Sequence, residues 1–262
     1  MSLKKICFIS DAHFGIDLPG FGDRERLFIK WLRQYAHEWS DLYIVGDLFD
    51  FWIEYRHAIR PDYFMVLHHL SNIIELGVAV HYLAGNHDFA LGPFLGRTLG
   101  INTSPGAVER ELQGRKVHLY HGDGLVKKDI GYTVFKKMLR NPLNQRIYKL
   151  LHPDIGVPLG NLISGSSRKY LNKPLSDTLR DQYRAAALNI LENGRDLVIY
   201  GHIHQPDLVK YPCGTYCNIG SWLNHYTYAV MESGSLRLLR YREGEDHPSE
   251  ELPAIELKCG SS

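Results

Sequence analysis

Five short groups of polar residues combine aspartate, asparagine and histidine, the side chains that bind divalent metal ions. Each group follows a short apolar run that is typical of a buried strand. In chain order they are Asp11-x-His13, Gly46-Asp47-x-x-Asp50, Gly85-Asn86-His87-Asp88, His121-Gly122-Asp123 and Gly201-His202-x-His204. One such residue after a strand is more often a cap or turn residue. Five groups in succession favour a shared metal centre.

Carboxylate, amide and imidazole groups without a thiolate suit divalent ions of intermediate hardness, such as Mn²⁺, Fe²⁺ or Zn²⁺. A set of this size predicts two ions, with a bridging carboxylate and an attacking hydroxide held close to a phosphoryl oxygen. The carboxylates of Asp11 and Asp47 cancel only part of the charge of two divalent ions, and Asn86 adds an uncharged ligand. The remaining positive charge complements a phosphate or diphosphate group.

The elements that must position these groups begin with alternating strands and helices. Apolar runs at 5–10, 42–45 and 78–84 predict strands, and periodic apolar residues at 25–39 and 61–76 predict the helices between them. This order is typical of a parallel sheet, in which ligands bind at the carboxyl ends of the strands. Further strands are predicted at 107–112, 116–120, 197–200, 207–211, 215–219, 226–231 and 235–241.

A basic, helical segment interrupts the strand pattern. We expect residues 1–124 and 194–245 to form the core, residues 125–193 a helical cap and residues 246–262 a tail. Residues 125–184 contain twelve Lys or Arg and four Asp, a net charge of +8, so the rest of this chain of net charge +1 carries −7. Apolar faces on basic helices could shelter acyl chains and contact anionic lipid. Alternatively, they pack on one another and leave the basic residues in solvent.

The predicted cap helices span residues 130–139, 143–151, 159–171 and 175–191, and they are separated by Pro142, Pro153 and Pro174. A proline removes a backbone donor and disfavours the helical conformation before it. The prolines therefore serve as the predicted boundaries of these helices.

The composition is that of a globular protein, with 262 residues, 44% of them hydrophobic and 23% charged. It excludes disordered and collagen-like classes. A net charge of +1 gives no general attraction to nucleic acid, so we expect no nucleic-acid partner. Four scattered cysteines and the lack of a signal-peptide or membrane-spanning segment predict a cytoplasmic protein, peripheral on the inner face of the cytoplasmic membrane if the cap contacts lipid.

The five groups resemble the pattern of the calcineurin-like metallophosphoesterases, which is D-x-H, G-D-x-x-D, G-N-H-D/E, a later His and G-H-x-H. The resemblance covers about residues 4–123 and 197–241. It implies an α/β fold of the metallo-dependent phosphatase type, an α+β four-layer arrangement of two packed mixed β-sheets flanked by helices, here with the cap inserted. It implies that Asp11, His13, Asp47 and His204 hold one ion and that Asp47, Asn86, His121 and His202 hold the other.

The same resemblance assigns roles to four polar residues that are not ligands. His87 would face the scissile phosphate, stabilising charge or protonating the leaving group, and Asp88 would orient its ring. Asp50 and Asp123 would fix the ligands through hydrogen bonds.

A narrower resemblance, to the UDP-2,3-diacylglucosamine pyrophosphohydrolases of lipid A biosynthesis, covers nearly the whole chain. It rests on residues 46–52 (GDLFDFW), 121–125 (HGDGL), 129–135, 201–206 (GHIHQP) and 220–222 (GSW), and on the helical insertion. That family uses Mn²⁺ to release UMP and the acylated glucosamine 1-phosphate by attack on the α-phosphorus. The residues implied to meet the acylated sugar nucleotide are Asn86, His87, Asp129, Ser167, Arg168, Lys173 and His202.

The chain departs from the best-known branch of that narrower family at one position. The branch has Arg after the Asn of the third group, whereas His87 follows the wider family. Two alternatives therefore stay open. The same centre could serve a phosphodiesterase or phosphatase with a soluble substrate, or the chain could be a non-catalytic interaction module that kept the fold. The expected residue type is present at all seven ligand positions, which argues against a non-catalytic module.

Overall fold

The first half of the chain alternates strands and helices. The computed structural model describes residues 4–16, 23–125, 141–165, 176–245 and 247–257. Strands β1 (Lys5–Ile9), β2 (Trp39–Val45), β3 (Ala79–Leu83) and β4 (Asn102–Ser104) pair in parallel, and helices α1 (Arg24–Tyr35) and α2 (Phe64–Glu75) connect the first three. Both helices pack on the same face of these strands. The predicted parallel beginning is therefore confirmed.

The second half supplies the remaining elements. In the described ranges they are the strands β5 (Val108–Leu112), β6 (Arg115–Tyr120), β7 (Leu197–Tyr200), β8 (Asp207–Tyr211), β9 (Gly214–Asn218), β10 (Thr227–Glu232), β11 (Ser235–Arg240) and β12 (Ser249–Glu256), and the helices α3 (Pro142–Tyr148), α4 (Pro153–Gly165) and α5 (Asp177–Glu192). One sheet has the order β12-β11-β10-β1-β2-β3-β4, and the other has the order β5-β6-β7-β9-β8. Both sheets are mixed, as the fold class predicts.

Strand β1 explains why the two sheets stack between helices. Successive side chains of a strand point to opposite faces. Ile6 and Phe8 pack between the sheets with residues of β6, β7 and β9, whereas Cys7 and Ile9 pack with α1 and α2 on the outer face. A strand segment buried on both faces has to be apolar, as residues 6–9 of β1 are. Helix α5 covers the outer face of the second sheet and completes the four layers.

Three boundaries differ from the sequence expectation. Helix α5 lies within the segment assigned to the cap, but it packs on the second sheet and belongs to the core. The segment assigned to the tail contains β12, which pairs antiparallel with β11 at the edge of the seven-stranded sheet. An edge strand is partly exposed, so its polar residues obscured it in the sequence. Helix α4 begins at Pro153 and continues through Pro158, whereas the prediction started it at residue 159. Proline is well tolerated in the first turn of a helix, so Pro153 opens α4.

Candidate metal centre

The five polar groups lie in the loops that follow β1, β2, β3, β6 and β7. The first three of these strands are parallel in one sheet, and β6 and β7 are parallel in the other. The carboxyl ends of parallel strands meet at one edge of a sheet. The packed sheets therefore bring all five loops together.

The backbone at this edge adopts an uncommon conformation. Positive φ angles occur at Asp11 (53°), His13 (47°), Asp47 (52°), His202 (71°) and His204 (57°). Residues with a Cβ rarely occupy this left-handed region, and such strain concentrates at functional sites. All five belong to the predicted ligand set, and no feature of the sequence marked their backbone conformation.

The first ligand group consists of Asp11, His13 and His204. Asp11 Oδ1 lies 3.1 Å from His204 Nε2 and 3.8 Å from His13 Nε2. The other carboxylate oxygen of Asp11 accepts a hydrogen bond of 2.8 Å from the main-chain nitrogen of His202. The His13 side chain is 1% exposed, and neither ring nitrogen has a hydrogen-bond partner within the described part of the chain. A buried imidazole without a partner is costly, so this residue fits a metal ligand.

The second group surrounds His121. Its Nε2 lies 3.2 Å from Asp47 Oδ2, 3.1 Å from Asn86 Oδ1 and 3.2 Å from His202 Nδ1. Its Nδ1 donates to the Val45 carbonyl at 2.9 Å, which leaves Nε2 free to bind a metal. Asp47 Oδ2 is also 3.8 Å from His13 Nε2. Asp47 therefore lies between the two groups, which is the position that the predicted bridging carboxylate would occupy.

The carboxylates favour positive charge at the centre. Burial opposes ionisation of Asp47, but the surrounding histidines, His121 foremost, hold its pKa well below its usual range. Burial opposes protonation of His13, but the carboxylates, Asp11 foremost, raise its pKa to about 10. Burial and the neighbouring His121 lower the pKa of His202 to about 4. A divalent ion meets the same electrostatic demand while leaving the imidazoles neutral.

His87 lies beside both ligand groups. Its Nδ1 donates to the Asp50 carbonyl at 2.9 Å, and its main-chain nitrogen donates to Asp47 Oδ1 at 2.9 Å. Burial lowers its pKa, an effect that the nearby Asp47 opposes. His87 also forms a third possible ligand group with His13 and Asp47. The geometry therefore places His87 at the centre both as a possible ligand and as a possible contact to substrate.

The contacts of Asp88 correct the predicted role of this residue. Its carboxylate accepts hydrogen bonds from the main-chain nitrogens of Leu48 at 2.8 Å and Gly85 at 2.7 Å, and from the Tyr82 hydroxyl. Burial raises its pKa to about 6. The group that meets the ring nitrogen of His87 is the Asp50 carbonyl. Asp88 thus joins the loops after β2 and β3 and does not itself orient the ring.

Asp50 and Asp123 are both buried beside the ligands. The Asp50 carboxylate lies 3.7 Å from His13 Nδ1 and 3.5 Å from His87 Nδ1. Burial lowers the pKa of His121, but the carboxylates of the site, Asp47 foremost, raise it to about 10. Asp123 is one of the carboxylates that raise it. The two aspartates therefore act on the centre through their charge and position, and their part in fixing the ligands stays a prediction.

Glycines that open three of the groups make the close approach of the loops possible. A Cβ at Gly85 would lie 2.1 Å from Asp47 Oδ1, and one at Gly46 would lie 2.4 Å from His121 Nδ1. A Cβ at Gly201 would lie 2.0 Å from Ser10 Oγ. The sequence pattern contains these glycines without indicating what they do. The structure shows that a side chain at any of them would collide with a ligand or its neighbour.

Two further supporting residues were not identified from the sequence. Arg24 is buried, and its Nη2 donates to the carbonyls of His13 at 3.0 Å and Ile16 at 2.7 Å. Tyr183 of α5 donates from its hydroxyl to the Gly122 carbonyl at 2.8 Å. Both side chains donate to main-chain carbonyls of residues that are distant in sequence. A sequence pattern does not indicate such hydrogen bonds.

The described part of the cap exposes apolar side chains. Those of α3 and α4 and of the segment between them are Leu143, Ile147, Leu150, Ile155, Leu159 and Leu162, with Leu150 84% and Leu162 74% exposed. The alternative, that the apolar faces of the cap pack on one another, stays a prediction because part of the cap lies outside the described residues. Asp129, Ser167, Arg168 and Lys173 lie outside the described residues. Within the described residues, no helix is both long and apolar enough to cross a membrane.

Two mixed sheets that bring carboxylate, amide and imidazole side chains together at one edge define a metal-dependent phosphoesterase. Residues 4–206 match the family of calcineurin-like phosphoesterases, and the chain belongs to that family. The family and the enzyme class predicted from the sequence are therefore confirmed.

Two relatives match the chain over most of their lengths. The UDP-2,3-diacylglucosamine hydrolase of Porphyromonas gingivalis is 29% identical over 255 residues, which cover 90% of this chain and 97% of the relative. The protein of the same name from Photorhabdus laumondii is 31% identical over 206 residues, which cover 78% and 84% respectively. The similarity to the first relative extends over the cap segment as well as the core.

Proposed function

We propose that the chain hydrolyses the pyrophosphate bond of UDP-2,3-diacylglucosamine, releasing UMP and 2,3-diacylglucosamine 1-phosphate. The observation that carries this proposal is the length of the similarity to the Porphyromonas gingivalis UDP-2,3-diacylglucosamine hydrolase, which covers 90% of this chain. A match limited to the metal centre would support only the phosphoesterase class. A match that includes the cap supports a shared substrate, because in this proposal the cap binds the lipid part of the substrate.

Two divalent ions complete the proposed site, with Mn²⁺ as the first choice and Fe²⁺ or Zn²⁺ as alternatives. When bound, they polarise the phosphoryl oxygens and activate water. The support for two ions is the position of Asp47 Oδ2, 3.2 Å from His121 Nε2 and 3.8 Å from His13 Nε2. In this proposal Asp11, His13, Asp47 and His204 hold one ion, and Asp47, Asn86, His121 and His202 hold the other.

His87 contacts the reacting diphosphate in this proposal. Its Nδ1 donates a hydrogen bond to the Asp50 carbonyl, so Nε2 is the atom that contacts the substrate. Attack of water on the α-phosphorus breaks the bond to the bridging oxygen, which leaves with the sugar 1-phosphate. The diphosphate favours protonation of His87, and the Nε2 proton then stabilises the charge that develops on the phosphate oxygens. A sugar 1-phosphate is a stable anion, so it departs without taking that proton.

The cap binds the lipid part of the substrate. Leu150 and Leu162 give it exposed apolar surface, and its excess of Lys and Arg attracts anionic headgroups. The acyl chains lie against this surface, and the protein contacts the inner face of the cytoplasmic membrane peripherally. Asp129, Ser167, Arg168 and Lys173 contact the substrate in this proposal, as the resemblance implies.

The test compares three substrates with the Mn²⁺-loaded and the metal-depleted protein. We expect kcat/KM for UDP-2,3-diacylglucosamine to exceed that for UDP-N-acetylglucosamine by about 100-fold or more, because each buried methylene contributes ~0.8 kcal/mol. Bis(p-nitrophenyl) phosphate serves as the soluble diester. A preference for the soluble diester would favour a phosphodiesterase, and a protein that neither binds metal nor hydrolyses any of the three would be the interaction module.

A further inference from the structure

Helix α4 approaches the core through two glycines. Gly156 and Gly160 are one turn apart and share a face of the helix. A Cβ at Gly156 would lie 2.0 Å from the Tyr55 hydroxyl oxygen, and a Cβ at Gly160 would lie 2.2 Å from Phe51 Cε1. We call this pair of approaches the glycine contact.

One hydrogen bond joins α4 to the core, and a second joins it to the neighbouring cap helix α3. Asn161 Oδ1 accepts from Arg60 Nη1 at 3.1 Å, and the Gly156 carbonyl accepts from the Tyr148 hydroxyl of α3. Phe51 is 7% exposed, so its ring has little room to move away from Gly160. The glycine contact is therefore a built feature of the interface between cap and core.

The loop on the core side of the glycine contact also holds His87. The Asp50 carbonyl accepts from His87 Nδ1 at 2.9 Å, and the Trp52 main-chain nitrogen donates to the His87 carbonyl at 3.3 Å. Phe51, between them in sequence, meets Gly160. One short loop thus contacts α4 through a side chain and His87 through its main chain.

Helix α4 carries an apolar stripe beside its glycine face. Ile155, Leu159 and Leu162 follow the i, i+4, i+7 spacing of one helical face, and all three are exposed. Successive residues of a helix are about 100° apart around its axis, so the stripe lies about a third of a turn from the glycines. The depth at which α4 packs on Phe51 therefore fixes the position of this stripe relative to His87.

We propose that Gly156 and Gly160 are specificity-determining residues, because the glycine contact sets the spacing between the apolar stripe of α4 and the phosphate-binding side chain of His87. A substrate with both acyl chains and a diphosphate must reach both places, whereas a small diester needs only His87 and the metal centre. This inference rests on the proposed function.

The test uses Gly160→Ala and Gly156→Ala, with Gly106→Ala as the matched control. A Cβ at Gly106 meets no atom within 4 Å, so the control adds a methyl group in open space. Alanine favours helices over glycine by about 1 kcal/mol, so any loss in the helical variants comes from the contact. We expect KM for UDP-2,3-diacylglucosamine to rise about tenfold in the helical variants, with kcat/KM for bis(p-nitrophenyl) phosphate within about twofold of the unsubstituted protein.

A compensating variant tests whether the collision between residue 160 and the Phe51 ring causes the loss. Phe51→Leu removes the ring atoms that a Cβ at Gly160 would meet, so adding it to Gly160→Ala should restore most of the lost affinity for the acylated substrate. Hydrogen exchange of residues 153–162 measures the contact without any substrate, and we expect it to be faster in Gly160→Ala and unchanged in Gly106→Ala.

The outcomes separate the inference from the proposed function. Failure of the unsubstituted protein to hydrolyse UDP-2,3-diacylglucosamine contradicts the proposed function and removes the basis of the specificity claim. Equal losses on both substrates, no loss on either, absence of rescue by Phe51→Leu, or unchanged hydrogen exchange in Gly160→Ala each overturn the inference while leaving the proposed function intact.

Discussion

Asp47 connects the two candidate ligand groups of the metal centre. One carboxylate oxygen accepts from the His87 main chain, and the other lies between His121 and His13. Its own backbone has a φ of 52°, and Gly85 leaves it space that a Cβ would occupy. The sequence pattern could predict that Asp47 is a ligand. It could not predict this backbone conformation, because that depends on residues forty positions away.

Substitution of His87 separates its two possible roles. We expect His87→Gln to lower kcat by about 10²-fold with metal content unchanged, because the substitution replaces a protonated imidazole by a neutral amide and removes no ligand. Asp47→Asn, the matched control, should lose both metal and turnover because it removes the bridging charge. Metal content is measured by elemental analysis. Loss of one metal equivalent in His87→Gln would show instead that His87 is a ligand, as its place beside His13 and Asp47 permits.

The residue scale also shows where a pattern misleads. The resemblance implied that Asp88 orients the ring of His87, but its carboxylate accepts from Leu48, Gly85 and Tyr82. Adjacent residues in a tight loop point in different directions, so neighbours in sequence need not touch. The residue types and their order were predictable, whereas the hydrogen-bond partners required the fold.

At the scale of elements, α5 supports the loop that supplies His121. The Tyr183 hydroxyl donates to the Gly122 carbonyl at 2.8 Å, between His121 and Asp123 in sequence. We expect Tyr183→Phe to weaken metal affinity about tenfold, since groups that support ligands typically contribute 10- to 100-fold. The metal titration of the purified variant gives this affinity directly.

The matched control for that prediction is Tyr200→Phe. Tyr200 is fully buried near Tyr183, with ring centres 6.2 Å apart, and its hydroxyl has no hydrogen-bond partner within the described residues. Its loss should leave the metal affinity unchanged. Equal weakening in both variants would assign the effect to packing of α5 and not to the hydrogen bond.

The strands that carry the site were predictable because each contains buried apolar residues, which in β7 extend over the whole strand. The elements that escaped prediction are short or lie at an edge. Strand β4 has only three residues, and β12 is half-exposed or exposed along its whole length. Long-range pairing creates such strands, and a local pattern carries little information about it.

At the scale of the whole molecule, the charge is unevenly distributed. The segment 125–184 carries a net +8 and the remainder −7. We expect binding to vesicles that contain anionic phosphatidylglycerol, and weaker binding as salt rises, because salt screens charges at the surface. Co-sedimentation measures this, with vesicles of neutral phosphatidylcholine as the control.

Two exposed leucines separate lipid contact from catalysis. Leu150→Asp together with Leu162→Asp should reduce vesicle binding by at least about tenfold, because charge opposes insertion of these side chains into lipid. Hydrolysis of bis(p-nitrophenyl) phosphate should persist, since both side chains are exposed to solvent. Unchanged vesicle binding in the double variant would contradict the proposed membrane contact.

Metal binding should release protons. Burial lowers the pKa values of His13 and His121, but the neighbouring carboxylates raise them more strongly. The pKa of each ring is about 10 as a result. Both rings are therefore protonated at neutral pH before metal binds, and a ligand ring must lose its proton. We expect metal affinity to increase as pH rises towards 10. Calorimetry at pH 7.5 in buffers of different ionisation enthalpy measures the protons, and a heat that is independent of buffer would contradict this expectation.

The most direct test of the account is hydrolysis of UDP-2,3-diacylglucosamine in water enriched in ¹⁸O, with Mn²⁺ supplied and the products weighed by mass spectrometry. Attack of water on the α-phosphorus transfers one solvent oxygen to that phosphorus. We expect one ¹⁸O in UMP and none in 2,3-diacylglucosamine 1-phosphate, and no products after chelation of the metal. Label in the sugar phosphate, or no UMP with Mn²⁺ bound, would contradict the account.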